Sequence, residues 1–176
     1  MSFQDTEYPT TTSASRIRRL DAGLSPGCKR RRDLLTLLLL AATPFVQAAR
    51  STPIDVWKDP TCGCCADWVK HLEANGFQAK VHNDGNSEVR LRHGMPVLYG
   101  SCHTAVVDGY AIEGHVPARE LRRLLRERPK AVGLAVPAMP IGTPGMDGPS
   151  YAGRRDAYDV LLIQRDGTNS IFQAYR

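Results

Sequence analysis

Three cysteines fall within four residues at Cys62-Gly63-Cys64-Cys65, and a fourth, Cys102, is followed directly by His103. Thiols at that spacing can staple a fold, exchange disulfides or hold a metal. Stapling suits them poorly. Four cysteines allow three full pairings, and each of those leaves one disulfide inside the triplet. A bond closing so short a loop removes little denatured-state entropy, and a bond between adjacent residues is strained. Disulfide exchange fits better, because Cys62 and Cys65 form a C-x-x-C frame. Cys64 and Cys65 also stand where a helix should begin, and the helix dipole there favours thiolate. That chemistry needs only two thiols, however, and leaves Cys64 and Cys102 without a task.

Metal binding uses all four. Preformed thiolates close enough to bridge suit soft ions such as Cu(I). Structural zinc sites more often come as two separated C-x-x-C knuckles. A C-x-C-C triplet crowds its sulfurs so that thiolates are shared between ions, which favours a multinuclear site. Soft thioethers stand elsewhere at Met95, Met139 and Met146, the last two in a Gly/Pro-rich stretch with little core to fill. Among the histidines, His103 is the candidate ligand, provided that it and Cys102 stand in a loop, since strand neighbours face opposite ways. His71 falls about two helical turns, roughly 10 Å, from Cys64 and reads as surface. His82 and His93 lie in solvated stretches, and His115 reads as a capping or packing residue before Pro117. Gly63 is expected to give the chain a sharp turn that aims Cys62 back at the helix-end thiols.

These residues must be placed by the elements around them. Residues 53–58, "PIDVWK", alternate as a strand and are broken by Asp59-Pro60. A helix is expected over 66–75, with Trp68, Val69 and Leu72 inward and Gly76 as its stop. "FQAKVH" (77–82) is a second strand, and "NSEVRLRHG" one or two helical turns. Asp108-Gly109 marks a hairpin between 104–107 and 110–113. Pro117 opens a last helix with Leu121, Leu124 and Leu125 as its buried stripe and a solvated Arg/Glu face. Strand, Cys loop, helix, strand, then hairpin and helix is a thioredoxin-like βαβ plus ββα order, an α/β fold. In that fold a residue before a cis-proline faces the Cys loop, the place Met95-Pro96 would take. From 131 the chain is Gly/Pro-rich and irregular, a flap wrapped over the domain. A final hairpin is expected around Asp166-Gly167.

Of the 176 residues, 1–48 read as a signal peptide. They carry a basic cluster at Lys29 to Arg32, an apolar run from Leu34 to Val46 and a small-residue exit at Val46-Gln47-Ala48. The run is too short to span a bilayer, so no membrane anchor is expected after cleavage. Export would follow the Sec or, given "RRDLL", the twin-arginine route. This leader holds Cys28 with 7 of the 23 basic and 4 of the 18 acidic side chains, so 49–176 keep 16 against 14. The basic balance therefore belongs to the leader and implies no nucleic-acid partner. Residues 49–176 are expected to form one domain, with the flap and hairpin in 131–176, in the oxidising periplasm.

The stretches "CGCCADWVKHLEANGF", "GMPVLYGSCHTAVVDGYAIEGHVPA" and "LLRERPKAVGLAVPAMPIGTPGM" resemble the CopG-like periplasmic copper-resistance proteins from about Asp55 to Met146. The resemblance implies a thioredoxin-like fold, export, and copper handling through a cysteine-bridged copper cluster. Its C-G-C-C motif maps onto Cys62, Cys64 and Cys65, its S-C-H-T motif onto Cys102 and His103, and its P-x-M-P and P-G-M positions onto Met139 and Met146. Ala138 departs from the family's usual glycine before Met-Pro. The expected cargo is copper, as several Cu(I) ions, exchanged with other periplasmic copper-carrier or copper-efflux proteins. A thioredoxin-like thiol–disulfide or copper-redox oxidoreductase is the alternative.

Overall fold

The computed structural model describes residues 51–176, so the signal-peptide reading of 1–48 lies outside the described residues. The chain is mixed α/β. Seven strands form one sheet in the order β2-β1-β3-β4-β5-β6-β7: β1 Thr52–Lys58, β2 Phe77–His82, β3 His103–Val107, β4 Tyr110–Glu113, β5 Gly133–Ala135, β6 Tyr158–Ile163 and β7 Asn169–Tyr175. Helices α1 (Gly63–Ala74), α2 (Ser87–Arg92) and α3 (Ala118–Glu127) connect them. β1 pairs parallel with β2 and antiparallel with β3, so the first strand–helix–strand unit meets the hairpin side by side.

The main core lies on the face covered by α1 and α3. Trp68, Val69 and Leu72 from α1 and Leu121 and Leu124 from α3 pack on Ile54, Val56, Ala105, Ile112, Leu134 and Val160. Strand neighbours point to opposite faces. Ala111 and Ala135, which adjoin Ile112 and Leu134, therefore look to the other face, where they join Met95, Tyr99 and Ile163 in a second cluster. The solvated face expected for α3 holds except at Glu120, which is buried and accepts hydrogen bonds from Tyr175 Oη and Arg119 Nε.

Asp108 (φ 48°) and Gly109 (φ 84°) both take left-handed backbone, the two-residue turn whose twist suits a hairpin and which Asp-Gly favours. It sets the β3–β4 register, with Val107 opposite Tyr110 and Thr104 opposite Glu113. The expected terminal hairpin forms as β6 and β7.

Three expectations are corrected. The 131–176 segment is not wholly irregular before its hairpin, because β5 adds to the sheet parallel to β4, with Gly133 opposite Ala111. The free edge of β4 accepts it, and only glycine fits there: a Cβ on Gly133 would lie 1.7 Å from the Ala111 carbonyl oxygen. All peptide bonds among the described residues are trans, Met95–Pro96 included. Pro96, with φ −63° and ψ 141°, instead caps a short 3-10 turn at Val97–Tyr99. Gly63 is no sharp turn: it takes no left-handed backbone, and a Cβ there would meet nothing within 4 Å.

Gly133→Ala should therefore break the β4–β5 seam and cost about 3 kcal/mol, the upper range for an overpacked interior. Urea unfolding of the purified protein measures it, and a midpoint equal to wild type would contradict the close approach.

Candidate metal centre

Register brings the two thiol-bearing segments together. Lys58, the last residue of β1, stands opposite His103, the first of β3. The chain leaving β1 and the chain entering β3 are therefore neighbours at one end of the sheet. Asp59 shapes the exit: its Oδ1 accepts hydrogen bonds from the Thr61 amide (2.8 Å) and hydroxyl (2.5 Å), and its carbonyl accepts from the Cys62 amide. Helix α1 starts at once, with Cys62 as N-cap and no acidic side chain in its first turn. The free amides and dipole of that turn thus face the sulfurs, the environment that stabilises thiolate.

The sulfurs of Cys62, Cys64, Cys65 and Cys102 all lie within 4.8 Å of one another. Cys62 and Cys65 are joined as a disulfide, their Cα atoms 5.4 Å apart, and Cys64 and Cys102 are free. Cys65 is wholly buried, 3.7 Å from the Cys102 carbonyl oxygen, and the Cys64 sulfur is 3.5 Å from that of Cys62. Burial first, and then the neighbouring Cys64 thiol, push the Cys102 thiol up to about 12. In the metal-free protein Cys102 is therefore a protonated thiol at neutral pH.

Both imidazoles beside Cys102 are buried. His103 Nδ1 is 3.4 Å and His115 Nε2 3.1 Å from the Cys102 sulfur. His115 Nδ1 lies 2.7 Å from the Pro144 carbonyl, which fixes its proton on Nδ1 and turns the Nε2 lone pair toward Cys102. That is how metal-ligating histidines are commonly held, with the other ring N–H on a carbonyl. The His103 ring packs tilted against Trp68, with centroids 4.2 Å apart and planes at 38°, and its buried Nε2 has no partner among the described residues. Burial lowers the pKa of both rings, for His103 well below the ordinary imidazole value, so both are neutral bases. Cys102, His103 and His115 together form a second group of ligand atoms within 4.8 Å. The donor set, soft sulfurs flanked by neutral imidazole, fits a thiophilic metal.

The remaining residues are placed as follows. The flap reaches the site through Gly145, where a Cβ would fall 2.5 Å from the Cys64 carbonyl oxygen and 2.8 Å from the Trp68 nitrogen. Met146 follows it, and its sulfur accepts a hydrogen bond from Tyr151 Oη. Met139 is half exposed and shares with Cys102 and Val97 the lining of an open cleft of about 400 Å³. Met95 is buried in the second cluster, on the sheet face away from α1, and does not join the thiols. His71 is not plain surface: it is half buried, and its Nε2 accepts the Ala118 amide that opens α3. His115, read from the sequence as packing, is brought to Cys102. The signal was available, because extending the Asp108-Gly109 hairpin register two residues past Thr104–Glu113 sets Cys102 across from His115.

The family model described as "Protein of unknown function, DUF411" matches residues 99–146. Among solved structures, "Copper resistance protein copG- Form 1" is 49% identical, covering 72% of this chain and 98% of its own, with a TM-score of 0.66. "Copper resistance protein copG- Form 2" is 49% identical, covering 72% and 100%, with a TM-score of 0.65. No curated protein matches.

Alkylation tests the protonation state of Cys102. In native, non-reduced, metal-free protein at pH 8.5, iodoacetamide should modify Cys102 at least tenfold more slowly than in denatured protein, since only thiolate reacts. Its rate should still be climbing above pH 10. Peptide mapping by mass spectrometry reads it, and equal native and denatured rates would contradict a raised thiol pKa.

Proposed function

The chain belongs to the family of the copper resistance protein CopG, and from that premise we propose that it is a copper-binding protein of copper resistance. Cu(I) is held by Cys62, Cys64, Cys65 and Cys102 as a sulfur-bridged multinuclear cluster on a thioredoxin-like scaffold. The observation that carries this reading is the convergence of four sulfurs within 4.8 Å of one another, two of them free. Sulfurs so close cannot each take a private metal: they either ligate one ion together or bridge several, and the crowding of three in one C-x-C-C turn favours bridging. His115 and His103 supply neutral nitrogen at the Cys102 side, and Met139 and Met146 offer thioethers from the flap. The leader-like 1–48 segment supports export to the periplasm, where copper would be exchanged with carrier or efflux proteins.

The disulfide between Cys62 and Cys65 governs loading. Its sulfurs become thiolate ligands only when the bond takes up two electrons, so full occupancy requires reduced protein. That same bond favours a second reading, a thiol–disulfide or copper-redox oxidoreductase cycling Cys62 and Cys65. Turnover of insulin disulfides by metal-free protein would support the second reading, and its absence the first.

Copper titration of reduced protein should reach more than one ion per chain, read by metal analysis after desalting. A stoichiometry of one or below would overturn the cluster. Cys64→Ser should lose more than one ion, because a bridging thiolate serves several. A simple Cys62/Cys65 redox pair predicts instead that Cys64→Ser is silent.

A further inference from the structure

Glu113, the last residue of β4, is fully buried, and both its carboxylate oxygens are committed to the segment that carries Cys102. Its Oε1 accepts the Ser101 amide at 2.6 Å and Arg90 Nε at 3.0 Å, and its Oε2 accepts the Thr104 hydroxyl at 2.6 Å. Arg90, only 12% exposed, brings its Nη2 to 2.9 Å from the same Oε1 and donates from it to the Ser101 carbonyl at 2.8 Å, where Asn86 Nδ2 also donates at 3.2 Å. The Ser101 backbone is thus held at both ends, its N–H by Glu113 and its C=O by Arg90 and Asn86. The Ser101 hydroxyl donates to the Ala138 carbonyl at 2.6 Å and ties in the flap one residue before Met139. Space is tight as well: a Cβ on Gly100 would lie 3.2 Å from the guanidinium carbon, and one on Gly114 2.7 Å from Ser101 Oγ.

Stability alone is a poor account of this network. A buried ion pair gains little over well-packed apolar residues, because the desolvation of both charges offsets their attraction. What the pair supplies is direction. Arginine's planar fork can bond a carboxylate and a carbonyl at once, at fixed angles. Ser101 immediately precedes Cys102, and Glu113 stands two residues before His115. The clamp therefore joins the roots of the two arms whose tips, Cys102 sulfur and His115 Nε2, meet at 3.1 Å.

We propose that Glu113 and Arg90 are positioning residues of the metal centre, fixing the Cys102 arm and, through Ser101, the Met139 end of the flap before metal arrives. This rests on the copper-binding reading above. Neither side chain touches copper. Their effect is preorganisation, which raises affinity by sparing the site the cost of ordering its ligands when the ion binds, and outer partners of this kind commonly change metal affinity by about 10–100-fold.

The test uses Glu113→Gln, which keeps the shape and removes the charge, and Arg90→Lys, which keeps the charge and removes the fork. Should Glu113→Gln fail to fold, Arg90→Lys decides alone. Cu(I) affinity of reduced protein is measured by competition with bathocuproine disulfonate, and the sulfur-to-copper absorption is recorded at saturating copper. The same folded variants, metal-free and non-reduced, are alkylated with iodoacetamide and Cys102 is mapped. The expected result is unchanged copper count, affinity weaker by about 10–100-fold, an altered absorption band and faster alkylation of Cys102. A loss of thermal stability alone, with affinity, band and Cys102 alkylation all at wild-type values, would overturn the proposal. If wild type binds no copper, the copper reading fails by itself, and the Cys102 alkylation rates still decide whether the clamp positions that arm.

Discussion

The site depends on one constraint, the register of the central strands. The two-residue turn at Asp108-Gly109 permits a single tight pairing of β3 with β4, and a slip by one residue would turn every side chain to the other face. In the observed register Thr104 faces Glu113, and the chain just beyond brings Cys102 to His115. The β1–β3 pairing, with Lys58 opposite His103, then carries the Cys62–Cys65 turn to the same end of the sheet. Four sulfurs from segments 37 residues apart in sequence meet because two ladders end at the same place.

Around that meeting point the surroundings are dry on one side and open on the other. Trp68 and His103 close the inner wall, both fully buried, and the flap covers the first turn of α1 through Gly145. Cys62, Cys64 and Cys102 remain partly accessible. Burial keeps Cys102 protonated and the imidazoles neutral, while the amide end of α1 offers charge compensation for thiolate. The metal-free centre thus carries little net charge, and a soft cation that displaces protons from sulfur is the ligand such surroundings accommodate. The disulfide adds a condition: two of the four sulfurs are withheld until they are reduced.

Much of this was legible in the sequence wherever the signal was local. The Cys loop at a helix start, the alternation of 53–58, the Asp108-Gly109 and Asp166-Gly167 turns and the leucine stripe of α3 each depend on near neighbours. What escaped depends on distant partners. A three-residue strand at Gly133–Ala135 has no periodicity of its own and exists because β4 offers an edge. Met95 opens a short apolar stretch between Gly94 and Gly100 that has no clear period of its own, and only the second cluster shows which sheet face it occupies. Glu113 ends a short strand where a carboxylate would ordinarily be solvated; Arg90, Ser101 and Thr104 make its burial tolerable, and they come from three other segments. Ala138 takes left-handed backbone at φ 60°, which accounts for glycine at that place in the resembling family.

The central claim is that these four cysteines together hold copper. Copper K-edge X-ray absorption of the reduced, copper-loaded protein tests it most directly. The account predicts a low-coordinate Cu(I) edge, a first shell dominated by sulfur and a copper–copper scattering vector from shared thiolates. A first shell of nitrogen and oxygen, or a sulfur shell with no copper–copper vector at full loading, would contradict it.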